Sequence, residues 1–310
     1  MSVSREFRGI DPPAGVKLPT TAEIIAVCTK RGRRTLRGLA YPSDDRPVCW
    51  IKYGNGVTWN EVHALALARQ ELLRLRSPVA VPAVYHAFEA DYVTYIVMEY
   101  IHGRTGTQIL ESTSVPAERE AVYRHMAAGV QELLRIPIPP KAPPSAFDNG
   151  VFSHIMFLDL EAPRRYQNTD QLEQHLNVFL EKARSKLRLK GLSNEPMVFC
   201  FSDIHPGNFI ISDDGRVTII DFSETSILPC SFAKYAIISS WHNPEYNIAP
   251  WIDIPGDEGV ENTYALFEAS RKLAPEYPAL NLDPSLFYMP GVRVDREQFP
   301  LPDPVSEYSQ

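Results

Sequence analysis

The sequence predicts an α+β chain of two lobes, a small antiparallel-sheet lobe followed by a larger helical lobe. Three observations carry that expectation. The first hundred residues alternate between short apolar, β-branched runs and turn residues, interrupted by one stretch of helical period. A turn at His102–Gly103 then marks a seam. Beyond it, long amphipathic segments precede a return to period two.

The elements follow in order. Residues 22–29 (AEIIAVCT) are apolar and β-branched and read as a strand. KRGRR is a turn, TLRGLAY a second strand, PSDDRP a turn rich in Pro, Ser and Asp, and Val48–Tyr53 a third strand, so the chain opens as an antiparallel meander. Residues 58–75 (TWNEVHALALARQELLRL) are rich in good helix formers, and Thr58 with Glu61 spells a capping box. Two strands follow, Ala83–Glu89 and Val93–Tyr100. Residues 116–135 start a helix with proline in the first turn, where its missing N–H costs nothing. Residues 170–189 form a helix with an acidic start and a basic end, which suits the helix dipole. Short strands are expected at Val198–Phe201, Phe209–Ile211 and Arg216–Ile220, then helices at 231–241 and 259–273. The expected division is an N-terminal extension at 1–20, a small lobe at 21–103 and a helical lobe at 104–310. The last contains a loop region at 201–224 and a Pro-rich tail at 284–310.

Composition removes several classes. The chain has 310 residues, 44% hydrophobic and 22% charged, enough for one large or two modest cores and too apolar for disorder. Its four scattered cysteines form no CxxC pair, which argues against a disulfide scaffold or zinc knuckle and suits a reducing compartment. A net charge of -7 argues against a nucleic-acid partner. The N-terminus has prolines and no apolar core, unlike a signal peptide, and no apolar run is long enough to span a membrane. A cytoplasmic protein with no membrane partner is expected. Oligomeric state is not legible.

The chemistry concentrates in FSDIHPGNFIISDDGRVTIIDFSE, Phe201 to Glu224. Asp203 is followed five residues later by Asn208, and a tight hairpin turning at Ser212–Gly215 returns Asp221 beside Asn208. Oxygen-bearing side chains on loops at strand ends suit Mg²⁺, which takes few protein ligands and shares the rest with phosphate and water. Asp203, on the loop itself, is placed to accept a proton from a hydroxyl. Singly, each residue reads equally as a turn former or cap. Together, D-x-x-x-x-N, a hairpin and an apolar strand ending in Asp-Phe make a specific pattern.

That pattern resembles the aminoglycoside-phosphotransferase-like and choline-kinase-like small-molecule kinases, which share the protein-kinase fold. Members typically read His-Gly-Asp-Leu-His-Pro-Gly-Asn and then Ile-Asp-Trp/Phe-Glu. This chain reads Phe201-Ser202-Asp203-Ile204-His205-Pro206-Gly207-Asn208 and Ile220-Asp221-Phe222-Ser223-Glu224. Gly150–Phe157, Tyr166, Leu172, Glu173 and His175–Asn177 resemble the fungal branch of that group. The resemblance implies a two-lobed protein-kinase-like fold and γ-phosphoryl transfer from ATP, with Mg²⁺, to a hydroxyl of a small metabolite, in fungal specialised metabolism. It implies Asp203 as catalytic base and Asn208 and Asp221 as metal ligands. It also implies that Lys52 holds the phosphates, that Glu61 pairs with Lys52, and that the Glu99 carbonyl and Ile101 N–H bind adenine at the hinge.

Two departures stand against the family pattern. Phe201 occupies the usual histidine position, and Lys30–Arg34 has a single glycine in place of a glycine-rich loop. A Walker A motif is absent, which excludes a P-loop kinase. Glu61 as a helix cap, Lys52 as a solvated strand end and Lys30–Arg34 as an exposed basic turn remain open. Candidates for the acceptor side are Glu224, Trp241, His242, Trp251, Asp253, Asp257 and Glu258, whose aromatic and acidic character suits an amine. A surface loop with partly buried tryptophans is the plainer reading of most of them. A catalytically inactive kinase-fold protein, binding a nucleotide or metabolite or scaffolding a partner, is the alternative function. Phosphorylation of protein side chains is disfavoured, because no Ala-Pro-Glu follows Asp221.

Overall fold

The computed structural model describes residues 3–32, 37–42, 46–157, 159–239, 247–256 and 261–270. The small lobe is built on β1 (Val3–Arg8), β2 (Arg37–Tyr41), β3 (Cys49–Gly54), β4 (Val84–Ala90) and β5 (Val93–Glu99). These form one five-stranded sheet in the order β1-β4-β5-β3-β2. Every neighbouring pair is antiparallel. The strand β1 lies inside the stretch read as an N-terminal extension. Its side chains are almost all exposed, so the inside–outside alternation that marks a strand is absent there.

The strand predicted over 22–29 is a helix, α1 (Thr21–Lys30). Thr20 and Glu23 close a capping box around its first turn, with Glu23 Oε2 accepting from the Thr20 N–H at 2.7 Å. Its buried side chains are Ile24 and Cys28, four residues apart on one helix face. The apolar content was read correctly and its period was not. The small lobe therefore opens strand–helix–strand rather than as a meander.

Period-two geometry sorts β3. Cys49, Ile51 and Tyr53 pack with Ile24 and Cys28 of α1 on one face of the sheet. Trp50 packs on the opposite face, toward the cluster containing Val62 and Leu65 of α2 (Trp59–Arg74). Lys52 shares the parity of Trp50 and so points to the α2 side. Thr58 caps α2 by accepting from the Glu61 N–H at 3.4 Å. The reciprocal half of the predicted box is not made, because the Glu61 carboxylate turns to Lys52 instead.

The helical lobe follows a glycine crossing. Gly103 has φ +144, and a Cβ there would lie 2.8 Å from the Ile211 carbonyl oxygen, so only glycine lets the chain pass this close. Then come β6 (Arg104–Thr105), α3 (Gly106–Ser112), α4 (Pro116–Leu134) and α5 (Thr169–Lys182). The sequence reading missed α3, whose Thr105 and Gln108 form a capping box. It also ran α5 too far. Asn177 explains the stop, since its amide holds both the N–H and the carbonyl of Leu189 at 2.8 Å and folds that segment back.

β7 (Met197–Phe201), β8 (Phe209–Ile211) and β9 (Val217–Ile219) appear as predicted to within a residue or two, and β10 (Thr225–Pro229) is an addition that pairs with β7. β6, β8 and β9 make a second small sheet. α6 (Cys230–Ile238) and α7 (residues 263–270) close the lobe. The expected Pro-rich tail at 284–310 lies outside the described residues. Among the described residues, no helix is long and apolar enough to cross a membrane.

Candidate active site

Four elements deliver charged or hydrogen-bonding side chains to the junction of the lobes. Strand parity sends Lys52 inward from β3, where it is 12% exposed. The first turn of α2 brings Glu61, 1% exposed, to Lys52 with Nζ–Oε1 at 2.7 Å. Asp221, just beyond β9, brings Oδ1 to the same Nζ at 2.8 Å. Asp221 sits in the left-handed region, φ +61, which turns its carboxylate out of the strand direction. Ser223 Oγ donates to Asp221 Oδ1 at 2.9 Å and holds that rotamer.

One ammonium thus serves two carboxylates. Burial works against the charge on Lys52, yet Glu61 and Asp221 outweigh it and raise its pKa above the usual lysine value. Burial pushes the Glu61 carboxyl up, with Lys52 opposing. Burial also works against the charge on Asp221, and Lys52 and Ser223 overcome it and hold its pKa below the usual aspartate value.

The loop between β7 and β8 carries two more of the predicted residues, Asp203 and Asn208. Asn208 Nδ2 donates to Asp203 Oδ2 at 2.7 Å and to the Asp203 carbonyl at 3.0 Å. The Asn208 carbonyl accepts from the Ile220 N–H at 2.9 Å, which joins this loop to the residue before Asp221. With its nitrogen spent, Asn208 has Oδ1 left to offer a ligand. Phe201 is the position at which this loop departs from the motif it resembles. It is 3% exposed and packs on Phe209 and Phe222, with centroids at 6.2 and 5.3 Å, so ring contacts brace the loop.

A cleft of about 450 Å³ runs from Lys52, Glu61 and Asp221 to Glu99, Tyr100 and Ile101 at the end of β5. Asp203 and Asn208 do not line it. The Ile101 N–H makes no hydrogen bond among the described residues, whereas the Glu99 side chain is engaged by Arg69 at 3.2 Å and the Ala83 N–H at 3.1 Å. Trp50 forms part of the wall. A Cβ on Gly38 would meet its ring at 2.3 Å, so the indole lies directly across that glycine.

The profile of the phosphotransferase enzyme family matches residues 60–231, more than half of the 310 residues. The chain belongs to the phosphotransferase enzyme family. No curated protein matches it. Among solved structures it is similar to an AMP complex of spectinomycin phosphotransferase, at 15% identity and TM-score 0.44 over 85% of this chain and 90% of that one. It is similar to a Streptomyces rimosus aminoglycoside phosphotransferase bound to ADP and streptomycin, at 16% identity and TM-score 0.41 over 81% and 97%. It is also similar to a choline kinase from Streptococcus pneumoniae, at 13% identity and TM-score 0.38 over 89% and 93%.

The family's lobe junction in this chain holds one more acid. Burial, then the charges of Asp203 and Asp221, push the Glu224 carboxyl up to about 7. The Glu224 carbonyl accepts from Ser202, at 3.0 Å from its N–H and 2.9 Å from its Oγ, which fastens the segment after Asp221 beside the Asp203 loop. The other acceptor-side candidates divide. Trp251 faces α4, where the Arg124 guanidinium lies 4.9 Å from its ring, and Asp253 is held through its backbone by Gln131. Trp241, His242, Asp257 and Glu258 lie outside the described residues, as do Arg33 and Arg34 of the basic turn.

Among the described residues, no group of three His, Cys, Asp or Glu side chains forms a metal cluster. Asn208 Oδ1 and the Asp221 carboxylate are oxygen donors of the kind Mg²⁺ takes, and that ion needs few protein ligands when phosphate and water complete its shell. Trp50 was not among the expected site residues, and its shared strand parity with Lys52 is the signal that could have found it.

Proposed function

We propose that this phosphotransferase moves the γ-phosphoryl group of ATP, with Mg²⁺, to a hydroxyl of a small metabolite. The observation that carries the proposal is the double ion pair of Lys52 with Glu61 and Asp221 at the inner end of a hinge-walled cleft. An anchored ammonium beside an ionised carboxylate is the arrangement a polyphosphate and its cation require.

The roles are those the resemblance implies, and the placement of the side chains supports them. The Ile101 N–H and the Glu99 carbonyl bind the base edge, and the Trp50 indole offers it a stacking face. Glu61 aims Lys52 at the phosphates. Asn208 Oδ1 and Asp221 hold Mg²⁺, which when bound neutralises phosphate charge. Asn208 Nδ2 fixes one oxygen of Asp203, and the other takes the proton of the acceptor hydroxyl as it attacks in line. The lobes divide near His102–Gly103, and the acceptor enters from the helical side. The resemblance to the fungal branch supports an acceptor from specialised metabolism.

The test is a thermal shift with Mg²⁺–ATP, followed by ADP release over a panel of alcohols, amino alcohols and sugars. A Mg²⁺-dependent shift that is lost in Asp221→Ala supports the site. Absence of any shift in the wild type rejects the nucleotide reading. Binding without turnover on the whole panel favours the inactive-scaffold alternative.

A further inference from the structure

Asn60 is the residue before Glu61 on α2, and it is 4% exposed. Its amide is fully used. Nδ2 donates to the Ser223 carbonyl at 3.2 Å and to the Thr225 carbonyl at 2.8 Å. Oδ1 accepts from the Phe147 N–H at 2.7 Å. Phe147 in turn packs on Phe199 of β7, with centroids at 4.8 Å. Three segments meet at one side chain: the start of the small-lobe helix, a helical-lobe loop, and the backbone just past Asp221.

We propose that Asn60 is a positioning residue that keeps the Lys52–Glu61–Asp221 ion pair assembled in the resting enzyme. Glu61 follows it on the same turn, and its two carbonyl partners lie two and four residues after Asp221. Any outward swing of α2 breaks the hydrogen bond to the buried Thr225 carbonyl, which has no water to replace it, along with the half-buried bond to Ser223. The chain beyond Asp221 leaves no room for a switchable segment, because β10 begins at Thr225 and pairs at once with Phe201 of β7. The clamp therefore fixes α2 by a direct tie, and no modification is needed to bring Glu61 to Lys52. The inference rests on the proposed nucleotide role of that ion pair for its effect on turnover, but the tie itself is independent of any ligand.

The experiment compares Asn60→Ala and Asn60→Asp with the wild type, well below the Tm of each. Asp keeps the acceptor for Phe147 and loses the donor to residues 223 and 225. Hydrogen exchange at the Phe147 amide reads the tie, and the rate of Lys52 acylation by an amine-directed reagent reads the ion pair without nucleotide. In Asn60→Ala, the Phe147 amide loses protection and Lys52 acylation rises several-fold. With ATP, kcat falls about tenfold and the half-saturating Mg²⁺ concentration rises, while adenosine affinity stays unchanged. Asn60→Asp keeps Phe147 protected yet shares the Lys52 and kcat effects. Unchanged Phe147 protection or unchanged Lys52 acylation in Asn60→Ala overturns the inference. So does a variant whose kcat and Mg²⁺ dependence match the wild type while only its Tm falls. A wild type that never binds Mg²⁺–ATP defeats the nucleotide reading alone, and the two ligand-free measurements still decide the role of Asn60.

Discussion

The two sides of the lobe junction are built on opposite electrostatic plans. On the cleft side, one ammonium sits between two carboxylates, and attraction holds the group together. On the helical side, Glu224 is buried beside Asp203 and Asp221, and burial first, then their like charges, raises its carboxyl to about 7. The first side is complete without a ligand. The second stores repulsion that a cation or a proton relieves. A fixed anchor beside a charge-hungry reaction zone is what phosphoryl transfer demands, since catalysis there is mostly positioning and charge neutralisation.

The sharpest test of the reaction zone is Asp203→Ala. Turnover is expected to fall about 10²–10⁴-fold, the usual worth of a positioned base, while the Mg²⁺–ATP thermal shift persists. Full activity in a coupled ADP-release assay would remove Asp203 from the mechanism and dissolve the contrast between the sides.

The anchor is tested by Lys52→Met. That change leaves Glu61 buried without its cation, and urea unfolding is expected to show a loss of about 3–5 kcal/mol. Adding Glu61→Met should return most of it, because two apolar side chains of similar length need no partner. If the double variant is no better than the single one, attraction is not what holds that side together.

The repulsive side has a pH signature. The Glu224 carboxyl is raised from 4.5 to about 7 in the folded state. The folded protein therefore binds this proton more tightly than the unfolded chain does. Its favourable contribution is complete below about pH 4.5 and is lost as pH rises through 7. In metal-free buffer at pH 8, Glu224→Gln should be more stable than the wild type by about 1–3 kcal/mol, with the difference vanishing near pH 4.5. Equal stability across that range would mean that burial and the neighbouring acids do not hold the proton on Glu224.

The mildest change is Gly38→Ala. The new methyl displaces the Trp50 indole, and the KM for ATP should rise by a few-fold with little change in kcat. An unaltered KM would separate Trp50 from the base-binding wall.

Much of this was legible in the residues. Alternation marked β3, β4 and β5, and helical period with capping residues marked α2 and α4. The hairpin that returns Asp221 toward Asn208 was legible because the SDDG turn leaves it few ways to close, and the Ile220 N–H meets the Asn208 carbonyl. The misreadings share a cause. Residues 22–29 hold the composition of a strand, and only the docking of Ile24 and Cys28 under the sheet makes them a helix. β1 shows no buried face of its own and exists because β4 offers an edge. β10 became a strand by pairing with β7.

Local chemistry determined which side chains were available and which turns brought them back along the chain. Tertiary structure alone decided that the Glu61 carboxylate goes to Lys52 rather than to its own helix cap, and that Asn60 joins α2 to the backbone past Asp221. Those choices depend on residues more than a hundred positions apart excluding water from a shared interior, where an unpaired charge or carbonyl is too costly to keep.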